Sequence, residues 1–345
     1  MPVRLLLALF LALVVAACGS AGPRSTPVIV DTDLSSDDVI ALLYVLQDPR
    51  VDLRAVTVSG TGLVHCPGGA RIALDLLALG GRRDVPVACG SGVPLAGGNA
   101  PPEEWRRAAD DLFGVTLPPA SRRAEPDAVR LLASAIQQAP AEPTVLELAP
   151  MTNLASVLKA NRAVAARLHR VVAMGGAIDV SGNAPDQPRA EINAWSDPVA
   201  AQTVLRSGAP VTLVPLDATN QVPVTTFVAQ ALARYQYATP EATLAAQIVA
   251  ATNMARGGFY FWDPLAAVAM TEPGLVRRST RRLDVVTSGE AAGRTLATDG
   301  GAAIEVVTSV DRPGFERELM RTLLDGAPFA IPAHRPQATV TFDGR

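Results

Sequence analysis

Val28-Ile29-Val30-Asp31-Thr32-Asp33-Leu34-Ser35-Ser36-Asp37-Asp38-Val39-Ile40-Ala41-Leu42-Leu43 decides how the chain is read. Three β-branched apolar residues in succession specify a strand buried on both faces, the kind found in parallel sheets. A polar turn follows, and from Asp37 the apolar spacing predicts a helix running to Gln47. Four carboxylates fall within eight residues at the exit of this strand. Asp31 and Asp33 project to the same side of an extended strand end, because the side-chain period there is two. Asp37 and Asp38 open the helix, where the dipole favours negative charge, though not four charges converging on one spot. Convergence of that kind is unfavourable without a cation, so the expectation is a hard divalent ion held by oxygen. The structural alternative makes Asp37 and Asp38 a helix cap and leaves Asp31 and Asp33 in solvent. A cap needs one carboxylate, and the segment offers four.

Outward from this segment the chain alternates short β-branched runs with longer helical patterns. Strands are predicted at 53–58, 85–88, 144–148, 170–174 and 211–215, and helices at 67–79, 127–138, 154–160 and 198–206, with an irregular stretch over 91–125. Apolar strands separated by amphipathic helices specify an α/β fold: a mostly parallel central sheet, Rossmann-like and open, with helices on both faces. No internal repeat or linker divides it. Ligands of such sheets sit at the carboxyl ends of the strands, which directs attention to the loops after Val30, Val58, Leu148, Met174 and Pro215.

The whole chain has 345 residues, 49% of them hydrophobic, enough for a substantial core. A net charge of -3 with scattered arginines tells against nucleic acid as a partner. At the N-terminus, Arg4 precedes an apolar run from Leu5 to Ala17 that is too short for a mature membrane span. It ends in Val15-Ala16-Ala17-Cys18-Gly19, which resembles a bacterial lipoprotein signal and implies cleavage before Cys18, acylation of that thiol and a membrane anchor outside the cytoplasm. An ordinary secretory signal is the alternative, and either exports the protein. The expected organisation is a signal over 1–17, a tether over 18–27, one domain over 28–328 and a tail over 329–345. Cys66 and Cys89 then remain, either paired in an oxidising compartment or buried as small hydrophobes. Three histidines without ligand spacing tell against zinc.

Asp31-Thr32-Asp33-Leu34-Ser35 also matches the nucleophile loop of haloacid-dehalogenase-like phosphatases, in which Asp31 would attack phosphate. That chemistry requires a later lysine, and Lys159 is the only lysine in the chain.

Taken with segments further along, the chain resembles the inosine-uridine-preferring nucleoside hydrolases from about Pro27 to about Leu324. The family's Asp-Thr-Asp-Pro-Gly-x-Asp-Asp stands here as Asp31 to Asp38. Leu148-Ala149-Pro150-Met151-Thr152-Asn153-Leu154 is similar to its Gly-Pro-Leu-Thr-Asn-Leu. Met174-Gly175-Gly176-Ala177, Gly182-Asn183, Ala190-Glu191-Ile192-Asn193, Asp197-Pro198 and Trp262-Asp263-Pro264 follow in family order.

The resemblance implies that Asp33, Asp38 and Asp263 hold calcium together with the backbone carbonyl of Thr152, with Asp31 supporting them from behind. It implies that the metal acidifies a water and grips the ribose diol, that Asp33 takes the proton, and that Asp37, Asn183, Glu191 and Asn193 hold the ribose hydroxyls. A nucleoside substrate and a homo-oligomer are implied as well. A binding protein on the same fold, without turnover, is the alternative.

The chain also departs from the family. Leu34-Ser35 replaces Pro-Gly, and Gly60-Thr61 replaces Gly-Asn, which removes one expected ribose ligand. Trp262 stands where pyrimidine-tolerant members carry a histidine and purine-preferring members an aromatic, so the resemblance leans toward purines, activated by stacking. Phe259, Tyr260, Phe261 and Trp195 are open between pocket and core. His65 is a weak candidate proton donor.

Overall fold

The computed structural model describes residues 25–97 and 99–326. Cys18, the signal segment, most of the tether and the tail lie outside these residues. The expected α/β architecture is present, built on one nine-stranded sheet. Its strands are β1 (Thr26–Thr32), β2 (Val51–Val58), β3 (Val87–Cys89), β4 (Thr144–Glu147) and β5 (Arg170–Met174), then β6 (Val211–Val214), β7 (Val276–Val285), β8 (Thr295–Ala297) and β9 (Ala302–Val310). Their order is β3-β2-β1-β4-β5-β6-β9-β7-β8. All pairs from β3 to β9 are parallel, whereas β7 runs antiparallel to both its neighbours.

Because β1 begins at Thr26, the tether expected to run to residue 27 gives its last two residues to the sheet. Val28, Ile29 and Val30 are buried on both faces, as their continuous apolar run requires.

One core lies on the face covered by α1 (Ser36–Gln47), α2 (Cys66–Leu79), α10 (Pro240–Ala251), α11 (Trp262–Thr271) and α12 (Arg312–Leu323). The other is formed under α4 (Ala128–Gln138), α5 (Thr152–Ala160) and α7 (Pro198–Leu205); α6 (Ile192–Ser196) lies between β5 and β6, and α8 (Leu216–Thr219) and α9 (Thr226–Tyr235) between β6 and β7. Among the described residues no helix is long and apolar enough to cross a membrane.

Two elements depart from the sequence expectation. The stretch read as irregular contains α3 (Glu103–Asp110), in which only Arg106 and Ala109 are buried. So polar a segment carries little helical periodicity to read. Helix α5 starts at Thr152, two residues before the expected Leu154. The pair left open, Cys66 and Cys89, is a disulfide that ties the start of α2 to the end of β3.

Candidate active site

The carboxyl ends of β1, β2, β4 and β5 open into a cavity of about 470 Å³. Asp33, Asp37, Asp38 and Asp263 line it, joined by Asn183, Glu191, Asn193 and Trp262. Residues spread over more than two hundred positions are thus gathered at one point, because β1 and β4 are neighbours inside the sheet and α1 packs on α11.

The turn after β1 is organised by Asp38. Its Oδ1 accepts from the Thr32 hydroxyl and from the Asp33 amide at 3.3 Å, and its Oδ2 accepts from the Ser35 amide at 3.1 Å. With proline and glycine absent, the left-handed conformation falls on Leu34, at φ +50°. A left-handed leucine costs roughly 1–2 kcal/mol, offset by complete burial of its side chain and by its amide donating to Thr32 Oγ1. The turn is therefore made without glycine, at Leu34 rather than Ser35.

Asp37, Asp38 and Asp263 bring carboxylate oxygens within 4.8 Å of one another, all three buried. The Asp263 amide donates to Asp37 Oδ2 at 3.2 Å, while Asp263 Oδ1 has no hydrogen-bond partner among the described residues. Asp263 lies inside the first turn of α11 and does not cap it, since Phe261 is the cap residue. Asp33 lines the same cavity, with its Oδ2 accepting from the Leu63 amide at 2.9 Å.

Burial first, then repulsion from Asp38, raises the Asp33 and Asp263 carboxyls well above the usual range and Asp37 to about 6. Buried carboxylates that repel one another, one with an orphaned oxygen, form a donor set suited to a hard divalent cation. Asp37, expected to hold ribose, belongs to this oxygen cluster.

Asp31 does not line the cavity. It lies fully buried behind the cluster, accepting from the Thr57 hydroxyl at 2.6 Å and from Asn153 Nδ2 at 2.8 Å. This position overturns the phosphatase alternative, because a nucleophile must reach the substrate. Lys159 is exposed at the far end of α5, which removes the other requirement.

The expectation for Thr152 is also corrected. Its carbonyl lies within α5 and accepts from the Ser156 hydroxyl at 2.7 Å, and Thr152 does not line the cavity. The early start of α5 draws that carbonyl into the helix. Leu148, at the end of β4, lines the cavity in its place.

Three of the expected ribose contacts are held by local bonds. Glu191 accepts from the amides of Gly176, Asn193 and Ala194, and burial raises its carboxyl above the usual range. Asn193 Nδ2 donates to the Leu148 carbonyl at 3.0 Å, and Asn183 Oδ1 accepts from the Ile192 amide at 2.9 Å.

The aromatic residues divide cleanly. Phe259 lines the cavity with Trp262, their ring centroids 6.0 Å apart. Phe261 is core and packs on Phe315, and Trp195 is buried in a small cluster with Ala184 and Ala190. Tyr260 packs on Trp262 from outside the lining. His65 pairs with Asp110 at 2.7 Å and does not line the cavity. Sequence reasoning missed Trp105 on α3 and Phe113 just beyond it, both in the wall. The available signal was an aromatic residue in an otherwise charged segment.

Fold and site together define an α/β enzyme with a carboxylate-floored, aromatic-walled pocket at the carboxyl end of a parallel sheet. The model of the family described as inosine-uridine preferring nucleoside hydrolase matches residues 28–317, and the chain belongs to that family. Uridine nucleosidase 1 of Arabidopsis thaliana is 32% identical over 277 residues, covering 79% of this chain and 82% of that protein. A plant nucleoside hydrolase structure superimposes with a TM-score of 0.81 at 28% identity, over 88% of this chain and 100% of that one. A purine-preferring ribonucleoside hydrolase from Gardnerella vaginalis does so with a TM-score of 0.74 at 27% identity, over 87% and 98%.

Proposed function

We propose that this nucleoside hydrolase cleaves the N-glycosidic bond of purine ribonucleosides with calcium in its pocket, outside the cytoplasm. The observation that carries the reading is the convergence of Asp33, Asp37, Asp38 and Asp263 beneath an aromatic wall. Asp38 and Asp263 would hold the cation, with Asp33 or Asp37 completing the carboxylates and the Leu148 carbonyl supplying the neutral oxygen. When bound, the cation neutralises the cluster and acidifies water.

The chain's own residues supply the rest. Asp33, fixed by the Leu63 amide, is the group placed to take a proton from the attacking water. Water oxygen bonds to the anomeric carbon as the bond to the base nitrogen breaks, and the base leaves with the electron pair. Neither His65 nor His169 lines the cavity, so among the described residues no imidazole is in place to protonate the base. Trp262, Phe259, Trp105 and Phe113 offer faces on which a base stacks, and the larger purine gains more from them. Glu191, Asn183 and Asn193 sit where ribose hydroxyls would be read, so deoxynucleosides should be poor substrates. The Cys66–Cys89 disulfide supports export, since such bonds persist in oxidising compartments.

The test is release of free base and ribose from a panel of purine, pyrimidine and deoxy nucleosides, with calcium and then with chelator. Chelator-sensitive release led by purine ribonucleosides is expected. Saturable binding without turnover would replace the hydrolase reading with that of a binding protein, and pyrimidine-led release would overturn the purine assignment.

A further inference from the structure

Thr61 replaces an expected ribose ligand, yet it is not idle. It is buried and does not line the cavity. Ser59 Oγ lies 2.9 Å from Thr61 Oγ1, Thr61 Oγ1 lies 2.9 Å from Thr152 Oγ1, and Thr152 Oγ1 donates to Asp197 Oδ2 at 2.8 Å. All four residues are buried, so water does not compete for these bonds.

Each hydroxyl has one proton, and a carboxylate can only accept. The Thr152 proton therefore goes to Asp197 and the Thr61 proton to Thr152, giving one direction from Thr61 to Asp197, while the Ser59 hydroxyl, 3.1 Å from the Pro150 carbonyl, divides its proton between that carbonyl and Thr61. Asp197 is itself fixed, accepting from the Ala200 amide at the start of α7 and from the Leu95 amide.

The row ends where the chemistry begins. Two residues after Thr61, the Leu63 amide donates to Asp33 Oδ2, and Gly62 between them packs on the same carboxylate. The loop that aims Asp33 is thus anchored at Thr61 to α5, and through Asp197 to α7. We propose that Asp197, Thr152 and Thr61 form a hydroxyl relay that holds residues 60–63 against Asp33, making Thr61 a positioning residue for the proton-accepting carboxylate. This rests on the hydrolase reading given above.

Thr61→Val keeps the shape of the side chain and removes its hydroxyl, whereas Thr61→Ser keeps the hydroxyl. Both are compared with Thr152→Val and the Thr61→Val/Thr152→Val pair. The measurements are kcat and KM on the ribonucleoside the wild type cleaves best, and amide hydrogen exchange over residues 60–63. Thr61→Val is expected to lower kcat about ten- to a hundredfold with KM within about twofold, because misaligning a reacting group costs rate rather than ground-state binding.

Exchange at Leu63 should quicken in the same variant, Thr61→Ser should restore both readouts, and the double variant should be no worse than Thr61→Val alone. An unchanged kcat in Thr61→Val, a loss confined to KM, or a Thr61→Ser variant as impaired as Thr61→Val overturns the relay. If Thr61→Val does not fold, Thr152→Val interrupts the row one bond further on and is judged by the same readouts. If the wild type cleaves no nucleoside, the hydrolase reading fails, and exchange at Leu63 still decides whether the relay holds the loop.

Discussion

Asp31 and Glu147 are paired in the parallel register of β1 and β4, side by side and fully buried beneath the active-site floor. Among the described residues Asp31 Oδ2 has only Glu147 beside it, and the Glu147 carboxyl has only Asp31 and the Ala149 amide. Two ionised carboxylates cannot share such a place, and a single proton resolves the conflict. Burial and then the charge of Asp31 raise the Glu147 carboxyl well above its usual range, while burial lifts Asp31 only to about 6. The proton therefore resides on Glu147, which donates to Asp31.

Glu147→Gln should accordingly be tolerated, since a carboxamide donates as the neutral acid does, with stability within about 1 kcal/mol of wild type. Glu147→Ala should cost about 3 kcal/mol by leaving a cavity and depriving Asp31 of a donor. Chemical denaturation of the two variants checks this. Equal damage from both would mean that Glu147 is ionised.

Gly62 has no room for a side chain: a Cβ there would collide with the Asp33 carboxylate. Gly62→Ala should push the carboxylate out of line and lower kcat by about a hundredfold or more. Its far-ultraviolet circular dichroism should stay that of the wild type, because the loop lies outside the helices and strands. Wild-type turnover in this variant would show that Asp33 does not need its present orientation.

Trp105 and Trp262 reach the cavity from different elements and should fail differently. Base–aromatic stacking contributes about 1–3 kcal/mol per base. Trp105→Ala, from the exposed side of α3, should raise KM for purine ribonucleosides about five- to a hundredfold with kcat little changed. Trp262→Ala, next to Asp263, should lower kcat as well. The KM–kcat split on a purine and a pyrimidine ribonucleoside checks both, and equal losses on the two bases would remove stacking as the source of preference.

The different legibility of these residues has a physical cause. Four carboxylates in eight residues have few stable arrangements apart from a cation site, so Asp33, Asp37 and Asp38 could be read directly. Strands buried on both faces leave continuous apolar runs, which made the parallel part of the sheet legible. β7 reads VRRSTRRLDV and is exposed on both faces over 277–280, so no alternation betrays it. Trp105 was hidden because α3 contributes a wall through tertiary placement alone. Thr152 was misassigned because two residues of helix start decide whether a carbonyl faces the pocket or lies within the helix, and helix ends are the least determined feature of a local pattern. The family motif located the segment, and the backbone conformation brings Leu148 rather than Thr152 to the cavity wall.

The Cys66–Cys89 bond closes a loop with a sequence separation of 23 residues. Loop-closure entropy assigns it about 3 kcal/mol. Cys66→Ala/Cys89→Ala should lower the denaturation free energy by that order, and a reducing agent should do the same to the wild type but nothing to the double variant. If reduction leaves the wild type unchanged, the bond does not form in solution.

Acidity and calcium should act against each other on this fold. Asp37 titrates near 6 in the folded chain because burial and Asp38 disfavour its charge, and near the ordinary 3.8 when unfolded. A raised carboxyl favours the folded state while it is protonated. Its contribution is thus fully present below the unfolded value and is lost as pH rises through about 6. The metal-free protein should consequently lose stability between about pH 4 and pH 7 as Asp37 ionises, with Asp33 and Asp263 extending the trend upward.

Calcium should reverse the sign. Bound to the ionised carboxylates, as proposed, it would have to displace protons below about pH 6, and each proton should weaken its apparent affinity about tenfold per pH unit. Thermal unfolding with calcium and with chelator should therefore diverge most at pH 8 and converge near pH 5. A calcium effect that is flat across this range would mean the ion binds away from the cluster. A chelated protein that gains stability from pH 4 to pH 7 would mean these carboxyls are not destabilised by charge at all.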